Sequence, residues 1–477
     1  MNAQIMRLFV VVLVLFGGLV AFTTRWTVFE AEALQESELN RRDVIRELRV
    51  RRGALRAADG TLLARSVPAD SGTFRRVYTP AARDVSHVVG YSFPAPGRAS
   101  LERSRNAALM GAADPLDSLL DEVRGRADQG DDVVTTLDLR AQRAALAALG
   151  GRRGAVVALE PRTGRVRVMA SVPTFDPNQM STEEGRRALN SDPGRPLINR
   201  ATQDAAPPGS TFKVVTAAAA LDSGRYTPDT IVDGSSPKLV GGVPLRNFGG
   251  VDYGPIPLTT ALTQSVNTVW ADVALRLGRE TMGDYMRRFG FGTDPPADLP
   301  DVQLIPSGVF RNGRPLPVTD PRVDIGRVAI GQERLLATPL QMAMVAAAVA
   351  NRGQLMAPTL TQRIVDRRGR TLERVEPRGY RDAMSPRAAE RLAAMMADVV
   401  REGTGTAAAL EGVDVAGKTG TAELVPAQDI ARPWFIAFAP VERPRIAVAV
   451  TIERTVGGTG GVTAAPIAKQ VMQELLR

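Results

Sequence analysis

The first pattern along the chain is an unbroken apolar run: LFVVVLVLFGGLVAF, residues 8–22, carries no charge, and Thr23 and Thr24 extend it before Arg25. It lies near the lower limit for a spanning helix, roughly 17–25 residues, and exceeds the apolar stretch of a cleavable signal peptide. The small-residue pattern Ala31-Glu32-Ala33 falls well past its apolar end. We therefore read a cytoplasmic tail over 1–7 and an uncleaved signal anchor over 8–24. Flanking charge does not set the orientation, because only Arg7 and the amino terminus precede the run while Arg25, Arg41 and Arg42 follow it. No second segment of that length and apolarity follows.

Beyond the anchor the periods shorten. Residues 35–52 are charged and helix-compatible, and RRGALRAADGTLLARS offers two short strands about the Asp59-Gly60 turn. Irregular, Pro- and Arg-containing sequence continues to about residue 135, with strands predicted at 75–79 and 86–91, the latter containing VSHVVGY. This stretch, 35–137, reads as a small mixed pedestal domain. GDDVVTTLDLRAQRAALAALGG then gives a strand, an Asp138 cap and an amphipathic helix that stops at Gly150-Gly151. GAVVALEP and RVRVMASVP follow as strands joined at Arg162-Thr163-Gly164.

Helical periodicity dominates the middle of the remaining chain: after PPGSTFK, through PIPLTTALTQSVNTVWADVALRLG, over 338–353, and from Ser385 as N-cap with Pro386 at the first helical position to Gly403. WFIAFAP and RIAVAVTIE return to strands as a hairpin, and a last helix begins near Pro466. The order strand, strand, many helices, strands, helix predicts an α+β domain over 138–477, with an antiparallel sheet assembled from both ends around a helical middle.

Composition narrows the chemistry. The chain has 477 residues and a net charge of +9, but its arginines are spread without basic clusters or aromatic interleaving, which argues against a nucleic-acid face. There is no cysteine and one histidine, His87, so thiol catalysis and disulfides are excluded and the usual zinc ligand sets are lacking. No cofactor is indicated. A Ser-His-Asp triad would have to use His87, which reads as a structural residue on a half-buried strand.

Nearly every cation is arginine: of 60 Lys+Arg, only Lys213, Lys238, Lys418 and Lys469 are lysine. Yet PPGSTFK places a lysine three residues after Ser210, at the start of a helix, on the same face and within reach of the serine hydroxyl. Serine is a poor nucleophile without an adjacent base. A desolvated lysine amine can serve as that base, whereas an arginine cannot give up its proton. By itself Ser-x-x-Lys is equally a helix cap followed by a solvated lysine. Ser265-Val266-Asn267 adds a hydroxyl and a carboxamide inside an otherwise helical stretch, and Lys418-Thr419-Gly420-Thr421 adds a second lysine with a glycine where a strand must let a ligand approach. Gly412 to Thr419 also fits a phosphate-loop pattern, but no strand precedes it and no helix follows. Gly403-Thr404-Gly405 likewise mimics a dinucleotide motif at a helix end.

Ser-x-x-Lys, Ser-x-Asn and Lys-Thr-Gly in this order are the set of penicillin-binding proteins and class A β-lactamases. With RRGALRAADGTLLARS, GAVVALEPRTGRVRVMASVPTFDPNQ, NRATQDAAPPGSTFK, ATPLQMA and AGKTGTAE, the chain resembles the class B penicillin-binding proteins over nearly its whole length, and VVGYSFPAPGRASLE is most similar to their short, PbpA-type actinobacterial subgroup. Ala57-Ala58 stand where that family often has Asp-Arg.

The resemblance implies a penicillin-binding transpeptidase fold and a D,D-transpeptidase outside the cytoplasm that cross-links peptidoglycan stem peptides through a Ser210 acyl-enzyme and is acylated by β-lactams. It further implies Lys213 as general base, Ser265 and Lys418 as proton relay, Asn267 as a positioning group, Lys418 and Thr419 as carboxylate ligands, and an oxyanion hole from the Ser210 and Thr421 backbone beside Gly420. A SEDS-type glycosyltransferase in the membrane would be the partner, in division or in elongation. The alternative is a hydrolytic or catalytically silent relative acting as a scaffold.

Overall fold

The computed structural model describes residues 2–24, 47–111, 129–425 and 428–477. The apolar run forms a helix, α1 (Asn2–Thr24), whose large side chains from Leu8 to Phe22 are exposed. Among the described residues no helix meets the length and apolarity needed to cross a membrane. The Ala31-Glu32-Ala33 pattern and most of the charged stretch read as helix over 35–52 lie outside the described residues.

The pedestal begins with β1 (Leu55–Arg56) and β2 (Leu62–Pro68) around the expected turn, and β3 (Phe74–Tyr78) pairs antiparallel with β2. The strand expected over 86–91 is instead a short helix, α2 (Ser86–Val89), ended by Gly90 at φ +74°. The segment is buried on every side, Ser86 and His87 as well as Val85, Val88 and Val89, so it has no solvent face whose period would mark it as strand. His87 is fully internal on this helix; its Nε2 lies 2.7 Å from the Pro196 carbonyl oxygen and its ring stands edge-on to Phe175. After α3 (Ser100–Ser104) and α4 (Asn106–Met110), β4 (Asp132–Thr135) runs parallel to β1.

The second domain opens with α5 (Leu139–Leu149). The Asp138 carboxylate accepts from the amides of Arg140 and Ala141, and Gly150 in the left-handed region stops the helix. β5 (Gly154–Leu159) and β6 (Val166–Val172) form the first hairpin. The helical middle contributes α6 (Lys213–Asp222), α7 (Leu258–Thr263), α8 (Asn267–Leu277) and α9 (Pro339–Ala350). β7 (Thr361–Val365), β8 (Thr371–Arg374) and α10 (Pro386–Arg401) follow. β9 (Ala416–Val425), β10 (Ile430–Ala439), β11 (Ile446–Ile452) and α11 (Ala465–Leu476) complete the domain.

The central sheet has the order β9-β10-β11-β5-β6, all antiparallel, and so joins both ends of the domain as expected. Every residue of β10 is buried, because both faces of the sheet are covered. Trp434, Ile436 and Phe438 enter the core that includes α6 and α9, while Phe435 and Ala437 enter the one formed with α5 and α11.

β7 and β8 leave this domain and complete the pedestal sheet, whose order is β8-β7-β4-β1-β2-β3. The Asp298 carboxylate reinforces the junction by accepting from the amides of Leu360 and Thr361, at 2.6 and 2.8 Å, and from Arg105 of the pedestal at 2.9 Å.

Burial holds the His87 imidazole at about 4 against 6.5 in the unfolded chain. Between these values the unfolded chain binds a proton that the folded chain refuses, so this residue lowers stability as pH falls from about 6.5 towards 4. The loss between pH 7 and pH 5 is about 2 kcal/mol. Because the chain has one histidine, urea unfolding of His87→Gln should show a smaller drop over that interval than the parent; equal drops would contradict the assignment.

Candidate active site

Ser210 lies in a single 3-10 turn, Gly209–Phe212, that leads directly into α6. The turn is tied down on two sides. Gly209 adopts φ +54° and donates its amide to the Gly331 carbonyl at 3.0 Å, and a β-carbon on Gly209 would sit 3.0 Å from the Thr421 carbonyl. A β-carbon on Gly331 would fall 1.9 Å from the Gly209 carbonyl oxygen. Glycine is required at both positions because backbone meets backbone there. Gly420 serves the same packing: its absent side chain leaves room for Pro208 and Thr211 of the Ser210 turn, 2.7 and 2.9 Å from where a β-carbon would stand. The close approach predicted at Gly420 is thus made by the protein's own chain.

Lys213, one turn after Ser210, is fully buried. Its Nζ donates to Asn267 Oδ1 at 2.6 Å, to the Ser265 carbonyl at 2.7 Å and to Ser265 Oγ at 3.2 Å. The hydrogen bond expected between Ser210 and Lys213 is not formed: among the described residues Ser210 Oγ has no hydrogen-bond partner, and the amine is drawn to the next loop. Such contacts commonly tighten only when a substrate is bound.

That loop is the break between α7 and α8. Val266 donates to the Ala261 carbonyl, and Ser265 turns at φ +57°, a conformation costing ~1–3 kcal/mol for a residue with a β-carbon. The turn aims both the carbonyl and the hydroxyl of Ser265 at Lys213. Asn267 opens α8 and donates its Nδ2 to the Arg246 carbonyl at 3.0 Å, which fixes the amide so that Oδ1 faces the lysine. Asn247 caps the same helix, accepting from the amide and hydroxyl of Thr268 at 3.1 Å. Arg246 and Asn247 were not singled out from the sequence; they act through contacts that lie about 21 residues away in the chain and carry no spacing signal.

Lys418 reaches the same hydroxyl from β9, where it pairs with Ile436 of β10. Its Nζ donates to Ser265 Oγ at 2.9 Å and to the Thr419 carbonyl at 3.1 Å. Two ammonium groups therefore converge on one hydroxyl. Burial, with the Lys418 charge beside it, holds Lys213 well below the usual lysine range, and burial brings Lys418 down to about 7. Lys238, by contrast, is ion-paired with Asp272 and Asp233.

Thr419 and Thr421 share one side of β9, as alternation along a strand requires. The Thr419 hydroxyl lies 2.7 Å from that of Thr404, and Thr421 Oγ1 accepts from the Gly460 amide at 3.2 Å. Lys418 lies in a strand and not at a helix start, so the phosphate-loop pattern has no structural counterpart. A cleft of about 1760 Å³ opens beside the β5–β6 and β10–β11 turns and is lined by Glu160, Arg162, Arg352, Glu390 and Arg443 among others. It contains none of Ser210, Lys213, Ser265, Asn267 and Lys418, and its hydroxyls, Thr163 and Ser385, have no lysine or histidine in the lining to act as a base, so the constellation around Ser265 is the better candidate. Among the described residues no group of three or more acidic or His side chains is placed to hold a metal.

Residues 154–473 match the penicillin binding protein transpeptidase domain, and residues 52–133 match the penicillin binding protein A dimerisation domain. The chain is 37% identical to the peptidoglycan D,D-transpeptidase PbpA of Mycolicibacterium smegmatis, over all of this chain and 99% of that protein. Two solved structures of penicillin-binding protein A from M. tuberculosis are similar. The ceftriaxone acyl-enzyme complex has a TM-score of 0.82 at 32% identity, and the penicillin G acyl-enzyme complex has a TM-score of 0.80 at 33% identity. Each covers 90% of this chain, and the alignments span 99% and 100% of those chains. The chain belongs to the class B penicillin-binding proteins.

The glycine contacts make a sharp prediction. Gly331→Ala forces the Ser210 turn out of its seat between the Gly331 loop and β9 and should slow covalent labelling by a fluorescent penicillin about 100-fold, as a displacement near 1 Å can. Circular dichroism should show the fold retained. Labelling at the parent rate would mean that the turn does not depend on this contact.

Proposed function

We propose that the protein is a peptidoglycan D,D-transpeptidase working through an acyl-enzyme on Ser210. One observation carries this reading: two buried lysines, neither ion-paired among the described residues, meet on the Ser265 hydroxyl next to a serine held against a strand edge. Burying one unpaired ammonium is costly, and two side by side favour release of a proton from the pair. A neutral amine one turn from Ser210 is a base.

In the reaction the Ser210 hydroxyl attacks the carbonyl of the penultimate D-Ala of a donor stem, and its proton passes to Lys213. The backbone N–H groups of Ser210 and Thr421 receive the developing oxyanion; the contact of Gly209 with the Thr421 backbone supports this pairing. The C–N bond then breaks, the departing D-Ala amine takes the Ser265 proton, and Lys418 restores it. Lys418 and the Thr419 hydroxyl hold the terminal carboxylate of the donor. Asn267 holds Lys213. An acceptor amine on a second stem then attacks the ester, giving a proton through Ser265 to Lys418, while the C–O bond breaks and Ser210 takes its proton back from Lys213; the cross-link is formed and the pair is reset. β-Lactams acylate the same serine. A silent scaffold would have no use for two lysines buried without counter-ions.

The same reading extends to the setting. The exposed apolar surface of α1 suits insertion in lipid, which supports attachment to a membrane through α1; both domains then lie outside the cytoplasm, the side on which peptidoglycan stem peptides are cross-linked. A SEDS-type glycosyltransferase in the membrane is the partner suggested by family analogy, serving division or cell shape. Protease protection of the intact domains in spheroplasts, with no protection of an N-terminal tag, would contradict that topology.

Penicillin labelling tests the chemistry. Ser210→Ala should abolish it, and Lys213→Arg should be as defective as Lys213→Ala, each about 100- to 10,000-fold below the parent. Rapid labelling of the arginine variant would remove Lys213 as the base. The lysine pair is competent with one proton, so the acylation rate should fall on the acid side as Lys213 is protonated and fall again above about pH 7 as Lys418 loses its proton. A flat profile between pH 5 and 10 would contradict the two-lysine assignment. Mass spectrometry of labelled stem peptide with a competing amine separates cross-linking from hydrolysis.

A further inference from the structure

We propose that Thr404 is a positioning residue whose hydroxyl donates to Thr419 and thereby commits the single Thr419 proton to the carboxylate of the bound donor. This rests on the reading above, in which Thr419 holds that carboxylate. A hydroxyl has one proton to give and lone pairs to receive. The Thr404 and Thr419 oxygens are 2.7 Å apart, so one of them is the donor. A carboxylate can only accept. If Thr419 spent its proton on Thr404, it would present only lone pairs to the anion and repel it. With a carboxylate bound, therefore, Thr404 must donate and Thr419 must point outwards.

The backbone around Thr404 is built to keep that hydroxyl in place. The Thr404 amide donates to the Thr263 carbonyl at 3.3 Å, and Gly405 donates to the Val399 carbonyl at 2.9 Å. A β-carbon on Gly403 would lie 2.5 Å from the Thr263 carbonyl oxygen, and one on Gly461 would lie 2.4 Å from the Thr404 carbonyl oxygen. The backbone of Thr404, an exposed residue, is thus held between the end of α7, two residues before Ser265, and the segment that opens α11. The Gly-Thr-Gly triplet that mimics a nucleotide motif is needed for this fit. Thr421, two residues further along the same strand face, has its lone pair filled by the Gly460 amide. The two strand hydroxyls are therefore both supplied with a donor from behind, one by backbone and one by a side chain that can be removed.

The test compares acylation of the full-length protein by benzylpenicillin and by its methyl ester, which lacks the charge. Thr404→Val keeps the size and loses the hydroxyl; Thr404→Ser keeps the hydroxyl. Thr404→Val should slow acylation by benzylpenicillin about 3- to 10-fold, the worth of one neutral hydrogen bond. The change should sit in the concentration for half-maximal rate, not in the limiting rate. The ester should change by less than about twofold, and Thr404→Ser should restore the benzylpenicillin rate. Parent-like acylation by Thr404→Val, equal losses with acid and ester, or failure of the serine to restore the rate would overturn the assignment of Thr404 alone. A parent protein that benzylpenicillin does not acylate would overturn the reading of Ser210 as well, so the two failures are distinguishable.

Discussion

Lys213 and Lys418 place their ammonium nitrogens 3.2 and 2.9 Å from the same Ser265 oxygen, both in the protein interior. Two like charges this close, shielded from water and without a carboxylate between them, cannot both be comfortable as cations. Three oxygens around Lys213 solvate its ammonium form and partly offset the penalty, which keeps the pair close to release without expelling the proton altogether. Much of the local architecture follows from this balance. Ser265 accepts a left-handed backbone because only that turn offers its carbonyl and hydroxyl together, and Asn267 needs its amide pinned by Arg246 because a flipped amide would present donors to a donor.

The pair would be idle if Ser210 were not brought to it, and here the packing is unusually unforgiving. Gly209, Gly331 and Gly420 all stand where a single methyl group would strike backbone or side-chain atoms at 3.0 Å or less. The nucleophile turn, the loop behind it and the strand in front are therefore in direct backbone contact, so that no side chain can rearrange to let Ser210 drift. The position of Ser210 is fixed by the absence of side chains at three positions, as that of Lys213 is fixed by the polar groups of Ser265 and Asn267.

The parts of this arrangement visible in the sequence are those with local signals. Asp138, Ser385 and Pro386 mark helix starts where they are found, the two C-terminal strands follow their apolar alternation, and the small number of lysines singles out Lys213 and Lys418. The structure brings Ser265, Asn267 and Lys418 to Lys213, and β9 to Ser210. What escaped the sequence depends on distant partners. VSHVVGY alternates well enough for a strand over so short a span, and its burial on every side leaves no solvent face to mark the helical period. Nothing local announces that β7 and β8 leave one domain to complete the sheet of the other, since their partner β4 lies more than 200 residues earlier. Asn247 and Thr404 are ordinary loop residues until the fold sets them beside α8 and β9.

The excursion of β7 and β8 bears on how the catalytic domain is held. They lie between α9, which packs against the central sheet, and α10, which packs on α6, α7 and β9. Both helices thus flank the site, and the chain joining them is stitched into the pedestal by β4 and by the Asp298 clamp with Arg105. A pedestal linked only through its own end of the chain could swing on that linker. Entered a second time from the middle of the catalytic domain, it is fixed at two separated points, and a rotation of one domain against the other must break backbone hydrogen bonds of a continuous sheet. The orientation of the Ser210 cleft is set through that shared sheet.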